Sequence, residues 1–194
     1  FASGALLQLQ FFINTIVGGL VAAFIGFLVG LPSLKLKGDY LAIVTLGFGE
    51  IIRVTLLNME AIGGARGMYG ITKLTNFFWA GGWAFVTCLV VWRLVRSTHG
   101  RAFLAVREDE IAAESVGIDT TAAKTRAFVL SSFFAGVAGS LFGHYLAYLN
   151  PASFAFMKSV DVVVMVVLGG MGSISGSVLA AIFLTLLPEA LRPL

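Results

Sequence analysis

Glu50 and Arg53 stand three residues apart within the apolar stretch 41–57, where a charge is costly. At that spacing the two side chains share a helix face. They must pair, face a water-filled cavity, or lie near an interface. Two uses remain open: lining for the path of a polar solute, or an ion pair that locks helices together, the more ordinary of the two. A second set is Gly169, Gly170, Gly172 and Gly176, in the segment GGMGSISG that interrupts the apolar region 160–187. Such glycines serve either close helix packing or a helix break that frees backbone groups to meet polar solute or water. Their density favours the break, with Ser173 and Ser175 available to cap a new half-helix. One unbroken helix over 160–187 would be about 42 Å long, against a hydrocarbon core of about 30 Å. A break removes that mismatch, and its open backbone must then sit inside protein or beside a path, not against lipid.

No enzymatic constellation accompanies these residues. There is no His/Asp/Ser arrangement, no HExxH, no paired carboxylates in a plausible pocket, and no GxxxxGK[ST] loop to bind ATP. The expectation is therefore no catalytic residues, no metal and no cofactor. His144 sits beside Tyr145 and Tyr148, and an interfacial aromatic belt accounts for it without a metal. Cys88 is the single cysteine, which reads as a small buried side chain. Asp39 could cap the helix that follows it.

The elements that carry these residues belong in a membrane. The chain is 58% hydrophobic and 12% charged, with a mean hydropathy of +0.95. Soluble domains carry about 25% charged residues, and here the apolar residues fall in runs. Candidate spans are 11–31, 41–57, 77–95, 127–149 and 160–187, the second short and interrupted by Gly47 and Gly49, and so open to reading as two half-helices. The fold class expected is all-α: a polytopic integral membrane protein of about five to six membrane segments. It is read as one transmembrane domain over 1–194, part of a longer subunit, since the sequence starts at Phe1 and ends just after an apolar run. The net charge of +3 does not call for nucleic acid, because the basic residues flank apolar runs as the positive-inside rule requires. By that rule Arg93, Arg96, Arg101, Arg107, Lys124 and Arg126 face the cytoplasm, with Lys35 and Lys37 on the same side. The loop with Gly63 and Gly64 and the loop after Pro151 lie outside, and the end near Arg192 returns inside if 160–187 makes one net crossing.

Between the third and fourth spans lies GRAFLAVREDEIAAESVGID, residues 100–119. Gly100 and Gly117 bracket strong helix formers, and Leu104, Ile111 and Ile118 recur every seven residues. Arg107 and Glu110 lie at i, i+3, and Gly117 stands where a helix would stop. The pattern predicts one short amphipathic cytoplasmic helix, 104–116, against the membrane face. A solvated helix without special role has the same pattern.

Within that stretch EIAAESVGID, residues 110–119, resembles the coupling segment of ABC importer permeases; Glu110, Ala112, Ala113 and Gly117 carry the match, with Ile111 interrupting the Glu-Ala-Ala order. GRAFLAVREDEIAAESVGI, GDYLAIVTLGFGEIIRV and VVLGGMGSISGSVLAA together resemble the LivM-like branch of the high-affinity branched-chain amino-acid permease family. The resemblance covers nearly all of 31–191 and is weakest at 75–83, where family members carry a longer loop. It implies a multi-pass subunit of the bacterial cytoplasmic (inner) membrane, embedded in lipid, that forms half of a path for leucine, isoleucine or valine. It implies as partners a second homologous permease subunit, two cytoplasmic ATPase subunits and a periplasmic or extracellular amino-acid-binding protein. The coupling set it implies is Arg107, Glu110, Ala112, Ala113 and Gly117. Rival readings are a related permease for urea or amides, an ion-coupled secondary transporter, which would show inverted repeats around intramembrane carboxylates, and a membrane anchor in an enzyme complex.

Overall fold

The computed structural model describes residues 2–36, 38–60 and 63–191. Lys37 and Arg192, and the side chain of Asp39, lie outside the described residues. The chain is all-α and membrane-spanning. The described residues form eight α-helices: α1 (Ala2–Ser33), α2 (Asp39–Asn58), α3 (Phe77–Val95), α4 (Thr98–Glu108), α5 (Glu110–Ser115), α6 (Thr120–Leu146), α7 (Phe156–Gly169) and α8 (Ile174–Leu191). Among the described residues, four helical segments are long and apolar enough to cross a membrane: Leu6–Ser33, Tyr40–Asn58, Phe77–Val95 and Thr120–Leu146. Gly47 and Gly49 do not divide α2, which is one helix; i→i−4 hydrogen bonding carries through an isolated glycine at a modest cost.

The centre of the fold is the antiparallel pair α1–α6. Gly18 faces Ser140, Gly136 faces Ala22, Gly26 faces Ser132 and Gly30 faces Phe128. Each four-residue step along α1 meets a four-residue step back along α6. Small residues at these steps bring the two backbones close, which supplies the van der Waals contact that drives association where lipid gives no hydrophobic force. Phe11, Thr15 and Val137 are fully buried in this pair, and the Thr15 hydroxyl satisfies itself on the Phe11 carbonyl at 2.9 Å.

One end of the pair is basic. The end of α1 packs by Gly30 on Phe128, close to Lys124 and Arg126 at the start of α6. The opposite end is tied down by loops. β1 (Met68–Tyr69) pairs antiparallel with β2 (Tyr148–Leu149), and Thr75 Oγ1 donates to the Leu141 carbonyl at 2.9 Å. His144 packs edge-on to Phe11, with centroids 4.9 Å apart, and its Nδ1 lies 2.8 Å from the Thr72 carbonyl. Hydrogen bonding with the neighbouring Tyr148 phenol holds the Tyr69 phenol above the usual tyrosine range.

The region 160–187 is not a single crossing. α7 ends at Gly169 and α8 begins at Ile174. Leu168 and Gly169 line one cavity with Gly176, Leu179, Ala180, Phe183 and Leu184. In a continuous rod Leu168 and Phe183 would lie about 22 Å apart, so α8 folds back along α7 as a hairpin. The two backbones touch at its neck, where a methyl group on either Gly169 or Gly176 would strike the other's main chain. The expected single net crossing is therefore corrected to a down-and-back pair. Two glycines with positive φ, Gly170 at 88° and Gly172 at 93°, reverse the chain in four residues, a conformation that a Cβ disfavours.

Candidate coupling surface and helix break

The stretch 104–116 is two helices rather than one. Asp109 is extended, at φ −156° and ψ 113°, and its Oδ1 accepts from the N–H groups of Ile111 at 2.8 Å and Ala112 at 3.0 Å. An aspartate that satisfies two orphan donors starts a new helix in preference to continuing the old one. α4 starts upstream, at Thr98, capped by Ser97 Oγ, which accepts from Gly100 N–H at 3.1 Å. Gly100 thus lies inside α4, pressed against the Leu94 and Val95 carbonyls, rather than marking its start. Because the chain resets at Asp109, Leu104 and Ile111 do not share a face: Leu104 is half-buried, whereas Ile111 is 75% exposed.

α5 is bolted to the start of α6. Lys124 Nζ pairs with Glu110 Oε1 at 2.6 Å, both largely shielded from solvent. The buried Thr120 hydroxyl donates to Glu114 Oε1 at 2.8 Å. Ala113 is buried between them, and Asp119 Oδ1 accepts from Ala122 N–H at 2.8 Å to cap α6. At its far end Gly117, with φ 84°, donates to the Glu114 carbonyl, and Ile118 N–H donates to the Ala113 carbonyl, each at 3.0 Å. That is the doubly bonded glycine stop that closes a helix by a left-handed residue.

The residues singled out in sequence therefore divide. Glu110 and Ala113 turn into the protein. Ala112 and Gly117 are exposed. Arg107 Nε and Nη2 donate to Glu108. The coupling set left out Ile111 and Val116, which are 75% and 74% exposed and present an outward apolar surface on α5 and at its C-cap. The signal was present: once Asp109 is read as a cap, Ile111 and Val116 flank a helix whose inner face is Glu110, Ala113 and Glu114.

Glu50 and Arg53 form an ion pair within α2, with Arg53 Nε donating to Glu50 Oε2 at 2.9 Å and a second bond from Nη2 to Oε1. It joins one turn of α2 to the next. At the break, Ser173 Oγ accepts from Gly176 N–H at 3.1 Å, capping α8. Gly172 lies against the Arg107 guanidinium. The residues around it line a 420 Å³ apolar cavity between α3, α4 and the start of α8. Among the described residues, no group of three or more His, Cys, Asp or Glu is placed to hold a metal.

This chain is 42% identical to the high-affinity branched-chain amino acid transport system permease protein LivM of Salmonella typhimurium, over 91% of this chain and 50% of that protein. It is 31% identical to the probable branched-chain amino acid transport permease protein LivM of Methanocaldococcus jannaschii, over 84% of this chain and 52% of the relative. It is also 31% identical to LivH of Salmonella typhimurium, over 73% of this chain and 46% of the relative. The chain spans about half the length of the curated relatives it matches. The 211 positions of the Salmonella LivM match outnumber the 194 residues here, so that relative carries residues within the matched region that this chain lacks. No solved structure matches. The pattern of the family described as branched-chain amino acid transport system / permease component matches residues 1–194, and with its spans, its turned-back hairpin and these relatives the chain belongs to that family.

Proposed function

We propose that this chain is the membrane-spanning part of a permease subunit in an ABC importer of the bacterial inner membrane. Its substrate class is branched-chain L-amino acids, and ATP is hydrolysed on two separate cytoplasmic subunits. A second homologous permease subunit completes the path, and a periplasmic or extracellular binding protein delivers the substrate. The basic end of the α1–α6 pair faces the cytoplasm by the positive-inside rule, which places α4 and α5 there.

The observation that carries this reading is the two-faced build of α5. Its outer face offers Ile111 and Val116 to a partner, and an apolar anchor rimmed by polar groups is the form in which small docking sites concentrate their binding energy. Its inner face is held to α6 by Glu110–Lys124 and Glu114–Thr120. A push on the outer face therefore reaches α6, and through the glycine steps reaches α1. A helix that merely lay in solvent would need neither the exposed apolar pair nor the shielded ion pair.

The test is uptake of radiolabelled leucine by the reconstituted importer, with its ATPase subunits and binding protein, in proteoliposomes. Uptake should require ATP enclosed with the ATPase subunits and should persist when ion gradients are collapsed. Uptake driven by an ion gradient without ATP would overturn the proposal in favour of a secondary transporter.

A further inference from the structure

We infer that Arg107 is a positioning residue that joins the α4–α5 unit to the α7–α8 turn, so that movement at the docking face reaches the hairpin as well as α6. The inference rests on the permease reading above, and it differs from the docking role that the coupling segment implies for Arg107.

Three observations carry it. The guanidinium is used on two edges: Nε and Nη2 are engaged by Glu108, while Nη1 is the atom nearest Gly172. A methyl group on Gly172 would collide with that Nη1, so the main chain of the turn lies directly against the cation. The position also suits the charge. The turn follows the C-terminus of α7, where helix carbonyls lack intrahelical partners and a cation is favoured. Elsewhere the hairpin meets α3 and α4 across open space: the 420 Å³ cavity separates Leu104 and Phe103 from Ser173, Ile174 and Ser177. Arg107 bridges beside a gap, where one side chain transmits more than it would in a packed wall.

Arginine rather than lysine suits this place, because only a planar fork can be held by a carboxylate on one edge and present a second edge to a backbone. Gly172 is the matching half, since any side chain there would stand between the cation and the turn.

The experiment uses the assembled importer in proteoliposomes and reads leucine imported per ATP hydrolysed, with co-purification of the ATPase subunits as the assembly control. Arg107→Ala should leave the subunits co-purifying and lower the leucine-to-ATP ratio at least tenfold. Arg107→Lys should recover only part of that loss, and Glu108→Gln, which frees the guanidinium from its holder, should fall between. Ile111→Asp should instead abolish co-purification, separating docking from transmission. A second readout does not depend on transport: nitroxide labels on Leu104→Cys and Ser173→Cys report the distance across the cavity. With Arg107 present that distance should have one narrow distribution; with Arg107→Ala it should broaden. An unchanged leucine-to-ATP ratio together with an unchanged label distribution in Arg107→Ala would overturn the inference. Absence of ATP-dependent uptake in the unsubstituted importer would instead overturn the permease reading, and the label distances would still decide whether Arg107 holds the turn.

Discussion

Along α1 and α6, glycines sit opposite side chains of the other helix, at four successive steps from Gly18 to Gly30. At the neck of the α7–α8 hairpin, Gly169 and Gly176 sit opposite each other's backbone, and little else of the hairpin is covered. Val162, Val163 and Val167 of α7 are each more than half exposed, as are Leu179, Phe183 and Leu186 of α8. The same small residue thus builds two different objects. Repeated along a pair of full-length helices it makes a long interlocked contact with one arrangement. Concentrated at one point, between two short helices, it makes a single close backbone contact. α5 is fastened to the first object through Lys124, and α4 touches the second through Arg107. The comparison teaches that α4 and α5 sit between a pair packed along its whole length and a hairpin held closely at one point.

The sharpest way to break that comparison is to overfill the packed pair. Gly136→Leu would drive a side chain into Ala22 and the Gly18 and Gly19 backbone. Overpacking a close contact costs about 1–3 kcal/mol for a few methylenes, and here backbone has to move, so the loss should be at least about 3 kcal/mol. Thermal unfolding in detergent should show a large drop in Tm or no folded protein. A Tm close to that of the unsubstituted protein would mean that the α1–α6 pair is not held by this packing.

The hairpin should respond differently. Gly170→Leu with Gly172→Leu forces side chains onto φ values of 88° and 93°, a strain of about 1–3 kcal/mol at each position. That strain falls on a turn with exposed surroundings and spares the packed pair. Membrane insertion should survive while leucine uptake falls by more than tenfold. Equal loss of insertion and uptake would place the turn among the elements that hold the fold together.

Much of this was legible in the sequence, and the reasons for the rest are physical. The apolar runs located every long helix because burial in lipid demands about 20 residues of one character. The glycine cluster at 169–176 marked a discontinuity because glycine is, after proline, the residue that most weakens a helix interior, and here several fall together. What periodicity cannot supply is direction: a broken helix can continue or turn back, and only the contact of Leu168 with the surroundings of Phe183 decides it. Asp109 misled for a related reason. Set among Arg107, Glu108 and Glu110 it looks like one more charge on a helical face, yet its short carboxylate competes for backbone N–H groups and splits the helix. That one residue moved Ile111 from the buried side to the exposed side. Spacing put Glu50 and Arg53 on one helix face, and in the structure they form an ion pair. Whether they also contact a neighbour depends on groups distant in sequence, which spacing does not encode.

The smallest effect is the most informative about how the two halves are joined. Glu110 and Lys124 lie fourteen residues apart and meet at 2.6 Å, with side-chain exposures of only 25% and 19%. Exposed ion pairs contribute about 0–1 kcal/mol. Shielding from water raises the Coulomb term, and it also raises the cost of leaving either charge alone. Glu110→Gln and Lys124→Met should therefore each destabilise the protein, and the double variant should recover part of the loss, with a coupling energy of about 1 kcal/mol. The cycle is read from thermal unfolding in detergent. If the losses add without coupling, the hold of α5 on α6 rests on contacts other than this ion pair, among them Ala113 and the Glu114–Thr120 bond. If the coupling is present, the same double variant should weaken ATP-driven uptake less than either single variant. It restores the balance of charge at the joint, although the short bond itself is gone.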